Sequence, residues 1–146
     1  MDFDLEHDAS LALKIDRLMR RFHADLHPRA SRIDSEKVGP IGGMFLLYIS
    51  ENVSTTAQDI SSALGRDKAQ VSRVLGLLAQ KGLVAKSQSE EDGRSSQLRL
   101  TESGQLQVAA FNGALMEATR STLGHLTPED KQSFSELLSK ILEATD

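Results

Sequence analysis

Gln70, Ser72 and Arg73 sit close together in a stretch whose apolar residues repeat with helical spacing. Val71, Val74, Leu75 and Leu78 fall at i, i+3, i+4 and i+7. A helix that buries them turns Ala69, Ser72, Arg73 and Gly76 outward and leaves Gln70 at the edge. That outward face has the groups to read base edges in a major groove. Arginine pairs bidentately with guanine, glutamine with adenine, and a small alanine meets a thymine methyl. The solvated face of an ordinary surface helix is the competing reading. A second arginine, Arg94, follows the Asp92-Gly93 step in a polar loop over residues 87–96. At a hairpin tip it has the reach and charge to enter a narrow minor groove, where negative potential is focused. Asp92 would repel phosphate there. It reads instead as a positioning residue that pairs with Arg94 or with an arginine of the preceding helix.

Other chemistries find less support. His23 and His27 stand at i, i+4, a spacing that can chelate zinc, but the glutamate of an HExxH pattern is missing and Pro28 follows at once. The other histidines, His7 and His125, are remote in sequence, so surface or pocket histidines are expected and no metal. The chain has no cysteine, which excludes disulfides, thiolate metal sites and cysteine nucleophiles. Phosphate-loop and dinucleotide glycine patterns are absent. The expectation is a protein without cofactor that is not an enzyme.

The elements that must hold these residues follow from local signals. Thr56 with Asp59 forms a capping-box pattern ahead of a short helix with Ile60, Ala63 and Leu64 on its apolar face, and Gly65 stops it. Asp67 caps the next helix, with Gln70 in the reciprocal position, and Gly82 ends it. Two short helices with a tight joint make a helix-turn-helix. Residues 83–86 and 97–100 read as strands of a hairpin, and a hairpin placed there is a wing. Upstream, Leu11, Ile15, Leu18, Phe22 and Leu26 give an amphipathic helix that Pro28 is expected to end. Pro40 starts a second helix, in which Gly42 and Gly43 signal close backbone packing, a cavity next to the helix or a frayed first turn, fraying being the plainer reading. Thr101 caps a long helix through Leu106, Ala110, Phe111 and Leu115, and Thr127-Pro128 starts a last one carrying Phe134, Leu137, Leu138, Ile141 and Leu142.

The expected fold is mainly α with a small β wing. At 146 residues, one domain is expected, with a winged helix-turn-helix over 56–101 and dimerisation helices over 8–28 and 102–146. The net charge of −4 argues at first against nucleic acid, yet its distribution does not. Residues 55–101 hold seven basic and five acidic side chains, a local balance of +2. A modestly basic centre between acidic arms suits DNA binding by one face. The acidic N-terminus does not resemble a signal peptide, and no apolar run is long enough to span a membrane, so a cytoplasmic protein is expected.

Taken in order, Thr56-x-x-Asp59-Ile60-Ser61-x-x-Leu64-x-x-Asp67, Val71-Ser72-Arg73, Lys81-Gly82-Leu83-Val84, Asp92-Gly93-Arg94-Ser95 and Leu100-Thr101-x-x-Gly104 resemble the MarR family of bacterial transcriptional regulators. The resemblance implies a homodimer built by the terminal helices, with a recognition helix in each major groove and each Arg94 in the flanking minor groove. The DNA-facing set it implies is Thr56, Lys68, Ala69, Gln70, Ser72, Arg73, Arg94 and Ser95. It implies a pseudo-palindromic double-stranded operator, and a repressor that a small aromatic ligand releases. Phe22, His23, Met44 and Tyr48 are the candidate pocket residues, on the first two helices. The chain departs from many relatives at Gly42-Gly43, where larger residues are common, which alters the shape of any pocket. A winged helix used for protein contacts is the alternative function, and arginines at both groove-facing tips, Arg73 and Arg94, speak against it.

Overall fold

In the computed structural model, which describes residues 2–88 and 96–144, the elements run α1 (Asp2–Ile33), α2 (Gly39–Glu51), α3 (Ala57–Leu64), α4 (Lys68–Gln80), β1 (Val84–Gln88), β2 (Ser96–Leu100), α5 (Glu102–Leu123) and α6 (Pro128–Ala144). The expected class, helical with a small two-stranded antiparallel wing, is what forms. Contacts along the chain gather into two compact units, Ala30–Ala114 and Met1–Arg29 with Leu115–Asp146.

The unit Ala30–Ala114 is built on one apolar core. Phe45, Leu46 and Ile49 from α2, Ile60 from α3, Val71, Leu75 and Leu78 from α4, Val84 and Leu98 from the hairpin, and Val108 and Phe111 from α5 are all buried together. The hairpin pairs Val84 with Leu100 and Lys86 with Leu98, which puts these four on one face. Val84 and Leu98 enter the core there, Lys86 at the outer end of that face is exposed, and Arg99 on the other face is exposed. Thr55 extends the ladder by one bridge, its carbonyl accepting from the Leu98 N–H at 2.7 Å.

Gly42 and Gly43 are buried, and close packing rather than fraying explains them. A Cβ on Gly43 would lie 3.0 Å from Cζ of Phe111, and one on Gly42 would lie 2.9 Å from Cβ of Val38. The absence of side chains is what lets the Phe111 ring lie on the backbone of α2. On α5 the buried residues are Gly104, Gln107, Val108, Phe111, Ala114, Ala118 and Thr122, whereas Leu106 is 69% exposed. Of the expected Leu106–Ala110–Phe111–Leu115 row, Phe111 is buried and Ala110 and Leu115 are half-buried, while Leu106 is not. Ala63 is likewise exposed on α3, where Ile60 alone is buried.

Pro28 does not end α1, which continues to Ile33. A mid-helix proline forfeits one backbone hydrogen bond and costs ~3 kcal/mol. Beyond it Ala30 and Ile33 pack on the core, and Gln107 Nε2 donates to the Ile33 carbonyl at 3.2 Å. Burial past the proline offsets its cost. The turn that follows is held by Asp34, whose carboxylate accepts from the N–H groups of Val38 at 2.9 Å and Gly39 at 3.0 Å.

Within the other unit, the Thr122 hydroxyl on α5 donates to Asp25 on α1 at 2.7 Å, and Arg29 Nε stands 3.5 Å from Glu117. The cap of α6 is reciprocal: Asp130 N–H donates to Thr127 Oγ1 at 3.1 Å, and Thr127 N–H donates to the Asp130 carboxylate at 3.4 Å. None of the residues of α6 is buried. Among the described residues no helix is long and apolar enough to cross a membrane.

Candidate nucleic-acid interface

The joint between α3 and α4 is fixed by caps at both of its ends. Thr56 Oγ1 accepts from the Asp59 N–H at 3.2 Å while the Asp59 carboxylate accepts from the Thr56 N–H at 2.8 Å. Gly65 closes α3 at φ 61°, a left-handed conformation that glycine adopts without strain, and the Ser61 hydroxyl donates to the Arg66 carbonyl just beyond it. Asp67 then accepts from the Gln70 N–H at 2.8 Å and starts α4. That bond runs one way only, from Gln70 to Asp67. A carboxylate here also complements the positive end of the helix.

With its entry fixed, α4 presents two distinct faces. Val71, Leu75 and Leu78 are buried, and Val74 is partly buried. Ala69, Ser72, Arg73 and Gly76 are exposed, Gln70 is half-buried at the boundary, and Lys68 is exposed in the first turn. The structure therefore gathers Lys68, Ala69, Gln70, Ser72 and Arg73 on one helix end. Thr56 is half-buried at the start of α3. The cations Lys86 and Arg99 are exposed on the hairpin. A helix with small residues, an amide and a guanidinium on its exposed face can enter a major groove and offer donors to base edges. Asp92, Arg94 and Ser95 lie outside the described residues.

The C-terminal end of α4 is tied by a residue that the sequence marks only as a helix cap. Thr101 Oγ1 donates to the Gly82 carbonyl at 2.6 Å and accepts from the Gly104 N–H at 3.1 Å, while the Thr101 N–H donates to the Leu83 carbonyl at 3.0 Å. Its place three residues before Gly104 in the pattern was the available signal.

Of the candidate pocket residues, Phe22 and His23 line a cavity of about 410 Å³ within the unit of Met1–Arg29 and Leu115–Asp146. The walls are otherwise Leu18 and Met19 of α1, Thr119, Thr122 and Leu123 of α5, and Phe134 and Leu138 of α6. The rings of Phe22 and His23 are tilted at 50° with centroids 6.1 Å apart. Met44 and Tyr48 do not line it. They lie on α2 in the other unit, Met44 exposed and Tyr48 half-buried. Beside this cavity, Asp25 is held below the ordinary carboxylate range by the Thr122 hydroxyl, with Ser121, Arg29 and Arg21 acting the same way and desolvation opposing them. Among the described residues no three of His, Asp and Glu come together in a way that could hold a metal ion.

Residues 43–95 match the model of the MarR family. The HTH-type transcriptional regulator BilQ of Clostridioides difficile (strain CD3) is 36% identical over 61 residues, 42% of this chain and 41% of that protein. The chain spans from 41% to 60% of the length of curated HTH-type regulators that it matches. The crystal structure of a MepR mutant from a multidrug-resistant S. aureus clinical isolate superposes with a TM-score of 0.76 at 25% identity, covering 90% of this chain and 97% of that one. A second S. aureus MepR mutant, bound to an oligodeoxyribonucleotide, gives 0.60 at 25% identity over 90% of this chain and 98% of its own.

Proposed function

From the match of residues 43–95 to the MarR family model, we propose that the chain is a sequence-specific, double-stranded DNA-binding transcriptional regulator. It acts as a homodimeric repressor on a pseudo-palindromic operator and leaves it when a small aromatic ligand binds. The observation that carries the reading is the face of α4: Ala69, Ser72 and Arg73 exposed on a helix whose other side, Val71, Leu75 and Leu78, is buried. Capping at Thr56 and Asp67 orients that helix before any partner arrives, so little ordering entropy opposes binding. The matched family and relatives are transcriptional regulators, in keeping with a protein that is not an enzyme.

The dimer reading rests on exposed apolar side chains outside the reading head: Leu13, Ile15 and Met19 on α1, and Leu137, Leu138 and Ile141 on α6. Two copies related by a two-fold axis would set their recognition helices ~34–36 Å apart, one turn of the duplex. The ligand reading rests on the cavity beside Phe22 and His23, whose walls are almost wholly apolar. A ligand there shifts the equilibrium only by preferring one dimer geometry over another.

Sequencing the genomic fragments retained by the purified protein tests the central reading. A shared inverted-repeat motif among those fragments is the expected result. Retention without any sequence preference would leave the winged helix as a module for protein contacts.

A further inference from the structure

We propose that Thr101 is a positioning residue for DNA reading, a pin that sets the angle of α4 against the wing hairpin; the inference rests on the DNA-binding function proposed above. Three segments end at this one side chain. The recognition helix α4 closes through Lys81 N–H to the Leu77 carbonyl, Gly82 N–H to Ala79 and Leu83 N–H to Leu78, each at 3.0 Å. Gly82 sits at φ 74° and turns the chain into β1. That turn leaves the Gly82 carbonyl pointing away from its own helix, where it accepts the Thr101 hydroxyl at 2.6 Å. The hairpin closes at the same point, since Val84 and Leu100 form its final rung and Thr101 follows directly. The first turn of α5 is the third segment, with the Gly104 N–H donating to Thr101 Oγ1 at 3.1 Å.

The packing at this point leaves no slack. A Cβ on Gly104 would run into the Leu83 carbonyl oxygen, so α5 starts directly against the backbone that joins α4 to β1. The Thr101 N–H donates to that same carbonyl at 3.0 Å. A hydroxyl is required because the site needs one group that donates to a carbonyl and accepts from an N–H at once. Valine fits the space and does neither.

Geometry gives this pin its reach into recognition. At 1.5 Å rise per residue, Arg73 stands about 13 Å along the helix axis from Gly82, so a tilt of about 10° at Gly82 moves it by roughly 2 Å. Base-edge hydrogen bonds tolerate about 0.5 Å. Phosphate attraction tolerates far more, because it depends on charge near the backbone and not on register. Loosening the pin therefore costs specificity before it costs general affinity for DNA.

The test uses the full chain, a duplex selected by the wild-type protein from a randomised pool, and a duplex of random sequence. Thr101→Val, folded by circular dichroism at the assay temperature, is expected to bind the selected duplex about tenfold more weakly, as for the loss of one base contact, and the random duplex within about twofold of wild type. Thr101→Ser restores the selected duplex. Where Thr101→Val does not fold, Thr101→Asp takes its place: it still accepts from Gly104 and caps α5 but cannot donate to Gly82. Its charge weakens both duplexes, so the ratio of the two affinities is the readout, and a fall in that ratio is expected. An unchanged ratio in the folded variant, or no recovery with serine, overturns the proposal even when only thermal stability has dropped. If the wild-type protein selects no sequence at all, the DNA-binding reading falls and the role of Thr101 falls with it.

Discussion

Gly43 lies beneath the ring of Phe111, so near that a Cβ added to it would meet Cζ, Cε1 and Cε2 at 3.0 to 3.3 Å. This contact joins α2 to α5 inside the core of the reading head. Alanine at Gly43 would gain ~1 kcal/mol of helix propensity and lose part of it to the ring, so it is a poor probe. Gly43→Leu has no such ambiguity. It is expected to destabilise by ~1–3 kcal/mol through overpacking. Phe111→Ala is expected to cost ~3–5 kcal/mol by leaving a cavity, and combining the two recovers part of the loss because the new side chain occupies it. Urea denaturation of the three variants checks this, and strict additivity would contradict the contact.

Asp25 gives the unit of α1, α5 and α6 a dependence on pH. The Thr122 hydroxyl is the main group that holds its carboxyl below the ordinary value of 3.8. A depressed native pKa means that the charged form is favoured by folding. Its contribution is fully present above 3.8 and is lost as pH falls through the lower native value. Asp25→Asn should therefore melt below wild type at neutral pH and converge with it in strong acid. Thr122→Val should shift the Asp25 titration upward in NMR, toward 3.8.

The exposed apolar residues of α6 predict the assembly state. Leu137 is 56% exposed and Ile141 60% exposed, one turn apart on the same helix face. Light scattering is expected to return twice the chain mass of 16.0 kDa. Leu137→Asp with Ile141→Asp should shift the population toward monomer at micromolar concentration and weaken operator binding in parallel. A wild-type monomer at that concentration would remove the dimer from the mechanism.

The helix-turn-helix was legible in the sequence because its signals are local. Thr56 with Asp59, Gly65, Asp67 and Gly82 each act within a turn of where they stand, and each does so in the structure. The outward face of α4 was legible for the same reason, since one helix with one apolar stripe has only one way to turn. Features decided by distant partners were not legible. Pro28 reads as a stop because nothing near it shows that Ile33 packs against the core, partly buried, with its carbonyl hydrogen-bonded by Gln107. Gly42 and Gly43 looked like weakness because the Phe111 ring that needs them arrives with α5. On α5, apolar residues occur on more than one face, so spacing alone could not choose Val108 over Leu106. Thr101 read as a cap, and its bond to Gly82 depends on how the hairpin closes.

The cavity beside Phe22 and His23 predicts which ligands are worth trying. Its walls are apolar, with Thr119 and Thr122 as hydroxyl-bearing neighbours and His23 as a nitrogen donor or acceptor. Small aromatic acids and phenols match that lining. A compound that raises the melting temperature and releases the selected duplex is expected, and His23→Ala should weaken it. A set in which no compound does both would count against ligand release through this cavity.

Arg73 and Arg94 predict two different kinds of loss, because the fold proposed for the complex gives them different grooves. Arg73 is exposed on the free face of α4, so it is placed to pair with a base edge. Arg73→Ala should cost ~1–3 kcal/mol per half-site and relax preference at one position of the motif. Arg94, next to the Asp92-Gly93 step, is expected from sequence to answer to minor-groove width and phosphate potential. Arg94→Ala should then weaken many sequences together and reduce the slope of log affinity against log salt by roughly one unit per arginine removed. Titrating both variants against selected and random duplexes at several salt concentrations separates the effects. Should Arg94→Ala fold normally and bind the selected duplex as tightly as wild type, the wing would have no part in DNA reading, and specificity would rest on α4 alone.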